Sequence, residues 1–558
     1  MNLNKPPMNK PGSLIDFTPM DVQVYDGLTI ESAFLAFDDH WGRRIDVYAA
    51  RCLPIRVEGE PAPAIVLHVP GGGQTVQPID LAWWASRGFA ACSFDWQIGE
   101  FNHDPARKTR WPAGVVNCND AFDKAEDFVL PGAVQAAGVT IDWMQQLEHV
   151  DRDQVGVAGI SWGGYTTWLV NAYEPRIRAA VPVYGCGGLF EADRPKPPLA
   201  TGVAAELWRN HYEPGALADR MIAPVAYCSS TNDFFGFHLY ANRLLDRLTV
   251  SHRRSCNPNV NHHQGSGEAA LARAWMRHHL AGAEPLPAEP VLRDDFSIDA
   301  DRSQPIVSEE IVWTPSRDVR DDLRCWRFGK PGDLAHVAQA FARVRYADGV
   351  YLNSALREFQ EDEPATLSLA SVMQAEAAAL RAGSGLEHES GGEHGHAASI
   401  ATVDAWHDSR DGVGFGWGLG STQFHRTDID IQPDARNPAH ARWWIDRDGG
   451  GPLTLVFRGL ADPTFNDGRF DRLAVDLDIV DESLHALNAA LLLKTGRHDA
   501  VGSATVNPLR EGGVLTFAVA IDDFEGLPEG TTWADAAGII FTGNIAGNRL
   551  TVGSIRKL

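Results

Sequence analysis

Between residues 64 and 283, short apolar runs alternate with longer stretches whose apolar positions recur every three or four residues. The short runs read as strands buried on both faces, and the longer ones as helices lying over them. Strands are predicted at 64–69, 88–94, 155–158, 179–183, 225–228 and 248–256, and helices at 133–149, 163–173 and 268–280. This alternation predicts an α/β fold with a mostly parallel sheet. Before residue 60 the rhythm differs: a Pro-rich lead gives way to short alternating runs such as Ile45-Asp46-Val47-Tyr48-Ala49, the pattern of a β-meander. Gly187 to Asp219, rich in Pro, Trp and charge, interrupts the alternation and reads as a cap over the sheet.

After Leu286-Pro-Ala-Glu-Pro290 the period changes to two. Segments 311–314, 342–346 and 350–352 alternate between turns, one helix is expected within 367–382, and residues 383–396 (GSGLEHESGGEHGH) are of low complexity. From about 400 onward, strand-length runs at 441–445, 453–457, 473–477 and 550–552 predict a β-sandwich. The expected organisation is a catalytic unit over 1–285, a β-rich connecting region over 286–400, and a β-sandwich over 401–558.

Composition narrows the partners. Formal net charge is −24, so a nucleic-acid backbone or an anionic membrane would be repelled. No apolar run approaches the roughly 18 residues of a membrane span, and the first twenty residues lack a secretory apolar core. The seven cysteines (52, 92, 118, 186, 228, 256 and 325) include no CxxC pair, which favours a reducing, cytoplasmic setting over a disulfide or zinc framework.

The candidate chemistry centres on Gly159-Ile160-Ser161-Trp162-Gly163, placed between a strand ending at Ala158 and a helix starting near Gly163. Small residues on both sides let the chain turn sharply enough to present Ser161 at the sheet's carboxyl edge. A serine attacking an acyl carbonyl needs N–H donors for the developing oxyanion. Trp162 supplies the first, and Gly72 or Gly73 of Val69-Pro-Gly-Gly-Gly-Gln-Thr75 the second. The serine also needs a base, and the base an orienting carboxylate. Asp233 follows the strand ending near Cys228, and the run Asn257-Pro-Asn-Val-Asn-His-His263 follows the next strand. The base is therefore His262 or His263, with the spacing from the strand favouring His262.

Residues 30–283 resemble the acetyl-xylan-esterase-like and prolyl-oligopeptidase-like branch of the α/β-hydrolase superfamily. The resemblance rests on the glycine loop at 70–75, Phe94-Asp-Trp96, Gly159 to Gly164, Thr231-Asn-Asp233 and His262-His-Gln-Gly265. Relatives usually carry His-Gly-Gly-Gly in the loop where this chain has Pro70 first. The expectation is a serine esterase that forms an acyl-enzyme on Ser161 and needs no metal or cofactor. Its substrate would be a small-molecule or oligosaccharide ester, acetyl or otherwise acylated. Trp96, Phe234 and Trp208 are candidate substrate-stacking residues, although such aromatics are more often core.

Two alternatives stand beside this reading. One is a prolyl-oligopeptidase-type peptidase, disfavoured because no β-propeller pattern precedes residue 64. The other is a carbohydrate-binding or scaffold protein with a retired hydrolase domain. The sandwich, with Trp443 and Trp444, reads either as carbohydrate-binding or as an appendage that stabilises the enzyme or joins it into a homo-oligomer. His388, His394 and His396 read as exposed linker residues.

Overall fold

The computed structural model describes residues 12–56, 59–72, 74–98, 105–118, 120–189, 202–233, 235–258, 262, 266–315, 321–324, 326–331, 337–359, 431–433, 441–446, 451–457, 459–461, 466, 468–479, 486–494, 501–511, 514–545 and 549–558. The expected helix within 367–382, the low-complexity stretch and its histidines lie outside the described residues.

Among the described residues the first half builds a nine-stranded sheet. Its strands are β1 (Asp16–Tyr25), β2 (Leu28–Asp38), β3 (Arg44–Cys52), β4 (Ala64–Val69), β5 (Ala90–Phe94), β6 (Asp151–Ile160), β7 (Ile177–Val183), β8 (Val225–Ser230) and β9 (His252–Asn257). Their order is β1-β2-β3-β5-β4-β6-β7-β8-β9. The β1 to β3 meander and the β3–β5 pairing are antiparallel, and all pairings from β5 to β9 are parallel. Six helices are described: α1 (Pro78–Ala85), α2 (Val129–Gln145), α3 (Trp162–Tyr173), α4 (Gly202–Leu207), α5 (His238–Asp246) and α6 (Ser266–Ala281).

Side chains of β4 show why its run is apolar at every position but His68, itself fully buried. Ile65, Leu67 and Val69 pack on the face covered by α2, α3 and α5, whereas Ala64 and Val66 pack on the face covered by α1 and α6. Both faces are dry, so the period-two alternation of a half-exposed strand disappears. Helix α2 begins four residues earlier than its apolar periodicity suggests. Pro131 sits in its first turn, where a missing N–H costs nothing.

The region after 286 is β-rich and antiparallel. It contains β10 (Val291–Leu292), β11 (Ile298–Asp299), β12 (Ile306–Thr314), β13 (Arg327–Phe328), β14 (Gln339–Tyr346), β15 (Tyr351–Asn353) and β16 (Arg357–Glu358). Strands β13-β12-β14-β15 form one sheet, and β16 pairs with β14. This sheet shares a core with the first half of the chain: Val344, Tyr346, Val350 and Leu352 cluster with Leu271, Trp275, Met276 and Leu280 of α6. Arg254 of β9, 2% exposed, reinforces the joint through Glu289 (3.2 Å) and is itself held by Asp246 of α5 (2.9 Å).

The last region contains β17 (Ile431–Pro433), β18 (Ala441–Asp446), β19 (Gly451–Phe457), β20 (Arg472–Ile479), β21 (Leu487–Leu493), β22 (Val501–Val506), β23 (Leu509–Glu511), β24 (Val514–Ala520), β25 (Ala536–Ile545) and β26 (Arg549–Lys557). They form two sheets, β17-β18-β26-β20-β24-β23 and β19-β25-β21-β22. Leu473, Val475 and Phe517 of the first meet Leu487, Leu491 and Phe541 of the second in one core, the arrangement of a sandwich. Among the described residues no helix is long and apolar enough to cross a membrane.

Ending the chain at residue 285 would strip the α6 face of four buried partners, each contributing roughly 1.5–3 kcal/mol. A 1–285 chain should therefore melt at least about 10 °C below a 1–359 chain, or aggregate. Equal melting temperatures in thermal scans would contradict the shared core.

Candidate active site

The turn at Ser161 joins β6 to α3. Ser161 itself has φ 56° and ψ −122°, a backbone conformation that costs energy in any residue but glycine. Neighbouring glycines let the crossing form. A Cβ on Gly159 would strike the carbonyl of Gly163, one on Gly163 the carbonyl of Val69, and one on Gly164 the carbonyl of Val183. Strands β4 and β7 thus grip the turn from both sides, and Ser161 N–H donates to Val183 O at 2.9 Å.

His262 completes a hydrogen-bonded chain. Its Nε2 lies 2.7 Å from Ser161 Oγ, and its Nδ1 lies 2.9 Å from Asp233 Oδ2. Asp233 is fully buried, and its Oδ1 accepts the backbone N–H of Phe235 at 2.7 Å and that of Gly236. With a carboxyl on one ring nitrogen and a hydroxyl on the other, the imidazole can take a proton from the serine and return it. Ser161 is 9% exposed, so its surroundings are largely dry.

The glycine loop comes up beside this turn. A Cβ on Gly71 would lie 3.4 Å from Ser161 Cβ, and one on Gly72 would lie 2.8 Å from the Trp162 ring. Backbone therefore approaches the nucleophilic turn as closely as the absence of side chains permits. Trp162 opens α3, where N–H groups have no intrahelical partner.

The sequence-predicted residues fall into three groups. Ser161, Asp233 and His262 are brought together, with Trp162 and Gly72 alongside. His263, Gly73 and Phe234 lie outside the described residues. Trp96 and Trp208 are fully buried. The Trp96 indole N–H donates to Pro70 O at 3.0 Å, bracing the glycine loop, and that of Trp208 donates to Tyr165 Oη at 2.9 Å. In this structure both belong to the packed wall behind the site and present no open face for stacking.

Of two further neighbours, Tyr184 and Phe235, the first escaped sequence reasoning. Tyr184, just past β7 with φ 35°, sets its ring 4.4 Å from that of His262. Burial and the Asp233 carboxylate raise the pKa of its hydroxyl, keeping it protonated. Phe235 packs 4.7 Å from Trp162 and 6.3 Å from His262. A signal for Tyr184 existed: it stands at the carboxyl end of a parallel strand, where ligands of open α/β sheets gather. Among the described residues no group of three or more His, Cys, Asp or Glu side chains is placed to hold a metal ion.

Strand order, the turn at Ser161 and the covering helices define an α/β-hydrolase fold with a β-rich C-terminal region. A family model for X-Pro dipeptidyl-peptidase (S15 family) matches residues 45–196. Among solved structures the chain is similar to acetyl xylan esterase 1 from Thermoanaerobacterium sp., at 18% identity and TM-score 0.37, covering 47% of this chain and 87% of that one. It is also similar to an S-formylglutathione hydrolase from Agrobacterium tumefaciens, at 13% identity and TM-score 0.36, covering 47% and 99%. A puromycin-hydrolysing peptidase from Mycobacterium tuberculosis gives 17% identity and TM-score 0.33, covering 48% of each chain. Comparison with curated proteins gives no match.

Beside the site, Asp95 ends the β5 connection and accepts the Thr109 N–H at 2.8 Å. Burial nevertheless pushes its carboxyl up to about 6. The unfolded chain then releases this proton at lower pH than the native one, so its contribution favours folding at acid pH and is lost as pH rises through about 6. Asp95→Asn removes the titration. Relative to that variant, the wild type should lose about 2 kcal/mol of unfolding free energy between pH 4.5 and pH 7.5. A pH-independent difference in denaturant titrations would contradict the assignment.

Proposed function

We propose that this protein is a serine hydrolase of carboxylic esters that works through an acyl-enzyme on Ser161. The observation that carries the reading is the continuous chain Ser161–His262–Asp233, at 2.7 and 2.9 Å, built on a strained turn at the sheet's carboxyl edge. His262 removes the hydroxyl proton as Ser161 Oγ attacks the ester carbonyl, and the backbone N–H groups of Trp162 and the glycine loop hold the oxyanion. Collapse of that intermediate breaks the bond to the alcohol, which leaves with the proton from His262. Water then attacks the acyl-enzyme, giving its proton to His262, and the acid departs as that proton returns to Ser161. Asp233 keeps Nδ1 protonated and the ring oriented throughout.

Acetyl and other small acyl esters of carbohydrates are the proposed substrates. Phe235 packs on Trp162, the residue after the serine, and Tyr184 on His262, so aromatic rings border the site, which suits a compact acyl group, and a net charge of −24 disfavours polyanions. A second reading, cleavage of amide bonds in the manner of a proline-directed peptidase, is supported by the family model over residues 45–196. A panel of p-nitrophenyl acetate, acetylated xylo-oligosaccharides and aminoacyl-prolyl amides separates them. Acetyl esters should give the highest kcat/KM; faster turnover of the prolyl amides would transfer the assignment to a peptidase.

Substitutions test the residues. Ser161→Ala should abolish turnover with the melting temperature unchanged, since it removes one hydroxyl and leaves the glycines in place. His262→Ala should lower kcat by about a thousandfold or more, and His263→Ala by less than about tenfold. An active Ser161→Ala protein would sink the assignment, and the reverse histidine pattern would move the base to His263.

A further inference from the structure

Asn232, the residue before Asp233, is fully buried, and its amide nitrogen donates beyond the first half of the chain. Nδ2 donates to the carbonyl of Arg324 at 2.6 Å and reaches that of Asp321 at 3.4 Å, while Oδ1 accepts the Thr231 hydroxyl at 2.8 Å. Both carbonyls belong to a single tight turn, Asp321–Leu323 with Arg324 following, closed by an Arg324–Asp321 ion pair at 3.0 Å. The same turn holds the far end of the acid loop, since Leu239 N–H points at Asp321 Oδ2 at 3.4 Å. Next to it the His238 ring is buried, 5.4 Å from Trp326 and 5.4 Å from Phe341.

The turn is fixed from its other side as well. Leu323, 1% exposed, packs with Ala461, Leu492, Ala537 and Ile540 of the C-terminal sandwich. The strand leading toward His262 is tied to the same β-rich region. Asn353 Nδ2 donates to Cys256 O at 3.0 Å, and Arg343 Nη2 donates to Asn257 Oδ1 at 3.2 Å. The segments carrying Asp233 and His262 are thus both held by residues between 321 and 353.

We propose that Asn232 and the Asp321–Leu323 turn are positioning elements for the reaction, setting the Asp233 carboxylate against His262 through a contact that the C-terminal sandwich holds in place. The β-rich half is then a structural part of the active site, although Ser161, His262 and Asp233 all lie before it. Carboxylate placement matters because an orienting acid acts through angle and distance, and a small misplacement costs rate before it costs fold. The proposal rests on the reading of Ser161, His262 and Asp233 as the catalytic set.

The test uses the full chain and the variants Asn232→Ala and Leu323→Ala. Each should lower kcat for p-nitrophenyl acetate at least tenfold, leave KM within about twofold, and shift the acid limb of the pH–kcat profile. A proton NMR resonance far downfield, assigned to His262 Nδ1–H by its absence in His262→Ala, should broaden or move upfield in both variants. That resonance reports the Asp233–His262 contact whether or not the protein turns over the ester, so a wrong substrate reading does not mask the result. Lowered melting temperature with kcat and the resonance unchanged would make these residues merely structural and overturn the proposal. Should Asn232→Ala fail to fold, Leu323→Ala, which deletes no polar contact, decides by the same two readouts.

Discussion

A carboxyl group with no exposed surface must find all its hydrogen bonds within the protein, and Asp233 organises the site by doing so. Two backbone N–H groups, from Phe235 and Gly236, fold the acid loop back on one oxygen. His262 Nδ1 takes the remaining demand, which fixes its donor side and turns Nε2 toward Ser161. The imidazole is thereby oriented before any substrate arrives. The loop itself is a short connection after β8. Its polar residue Asn232 fastens it to Arg324 and Asp321, which links the nine-stranded sheet to the regions that follow it.

The position of Ser161 comes from a different constraint. Parallel strands β4, β6 and β7 bring three chain segments to one edge, and α3 must leave that edge at once to cover the sheet. Only glycines at 159, 163 and 164 let these backbones touch, and the remaining strain is concentrated at Ser161. A strained residue persists where the packing around it is over-determined. Here Trp168, Leu169 and Val170 of α3 are buried in the core below, and the Ser161 N–H is bonded to Val183 O.

Much of this was legible in the residues. The apolar runs of β4 and β7 announced their double burial, and the elbow motif located the turn with its strand and helix. Asp233 and His262 were singled out by their place after β8 and β9, and the structure brings both beside Ser161. Less legible were contacts set by tertiary packing. Trp96 and Trp208 read as stacking surfaces because sequence does not reveal which way an aromatic ring faces; both turn inward and spend their N–H groups on Pro70 and Tyr165. Tyr184 carried no motif, only a position at a strand end. The joint between the halves was hidden for a similar reason: Asn232 and Leu323 are 91 positions apart and neither belongs to a periodic pattern. A Pro-rich break at 286–290 marks a change in secondary structure, while the core of α6 continues across it into β14 and β15.

The central claim is covalent chemistry at one hydroxyl, and mass spectrometry of the quenched enzyme tests it most directly. Mixing with p-nitrophenyl acetate and stopping with acid before steady state should trap an acetyl group, about 42 Da, on the peptide containing Ser161. Its amount should match the burst of p-nitrophenol. Turnover with no adduct, or an adduct on any other residue, would contradict the account.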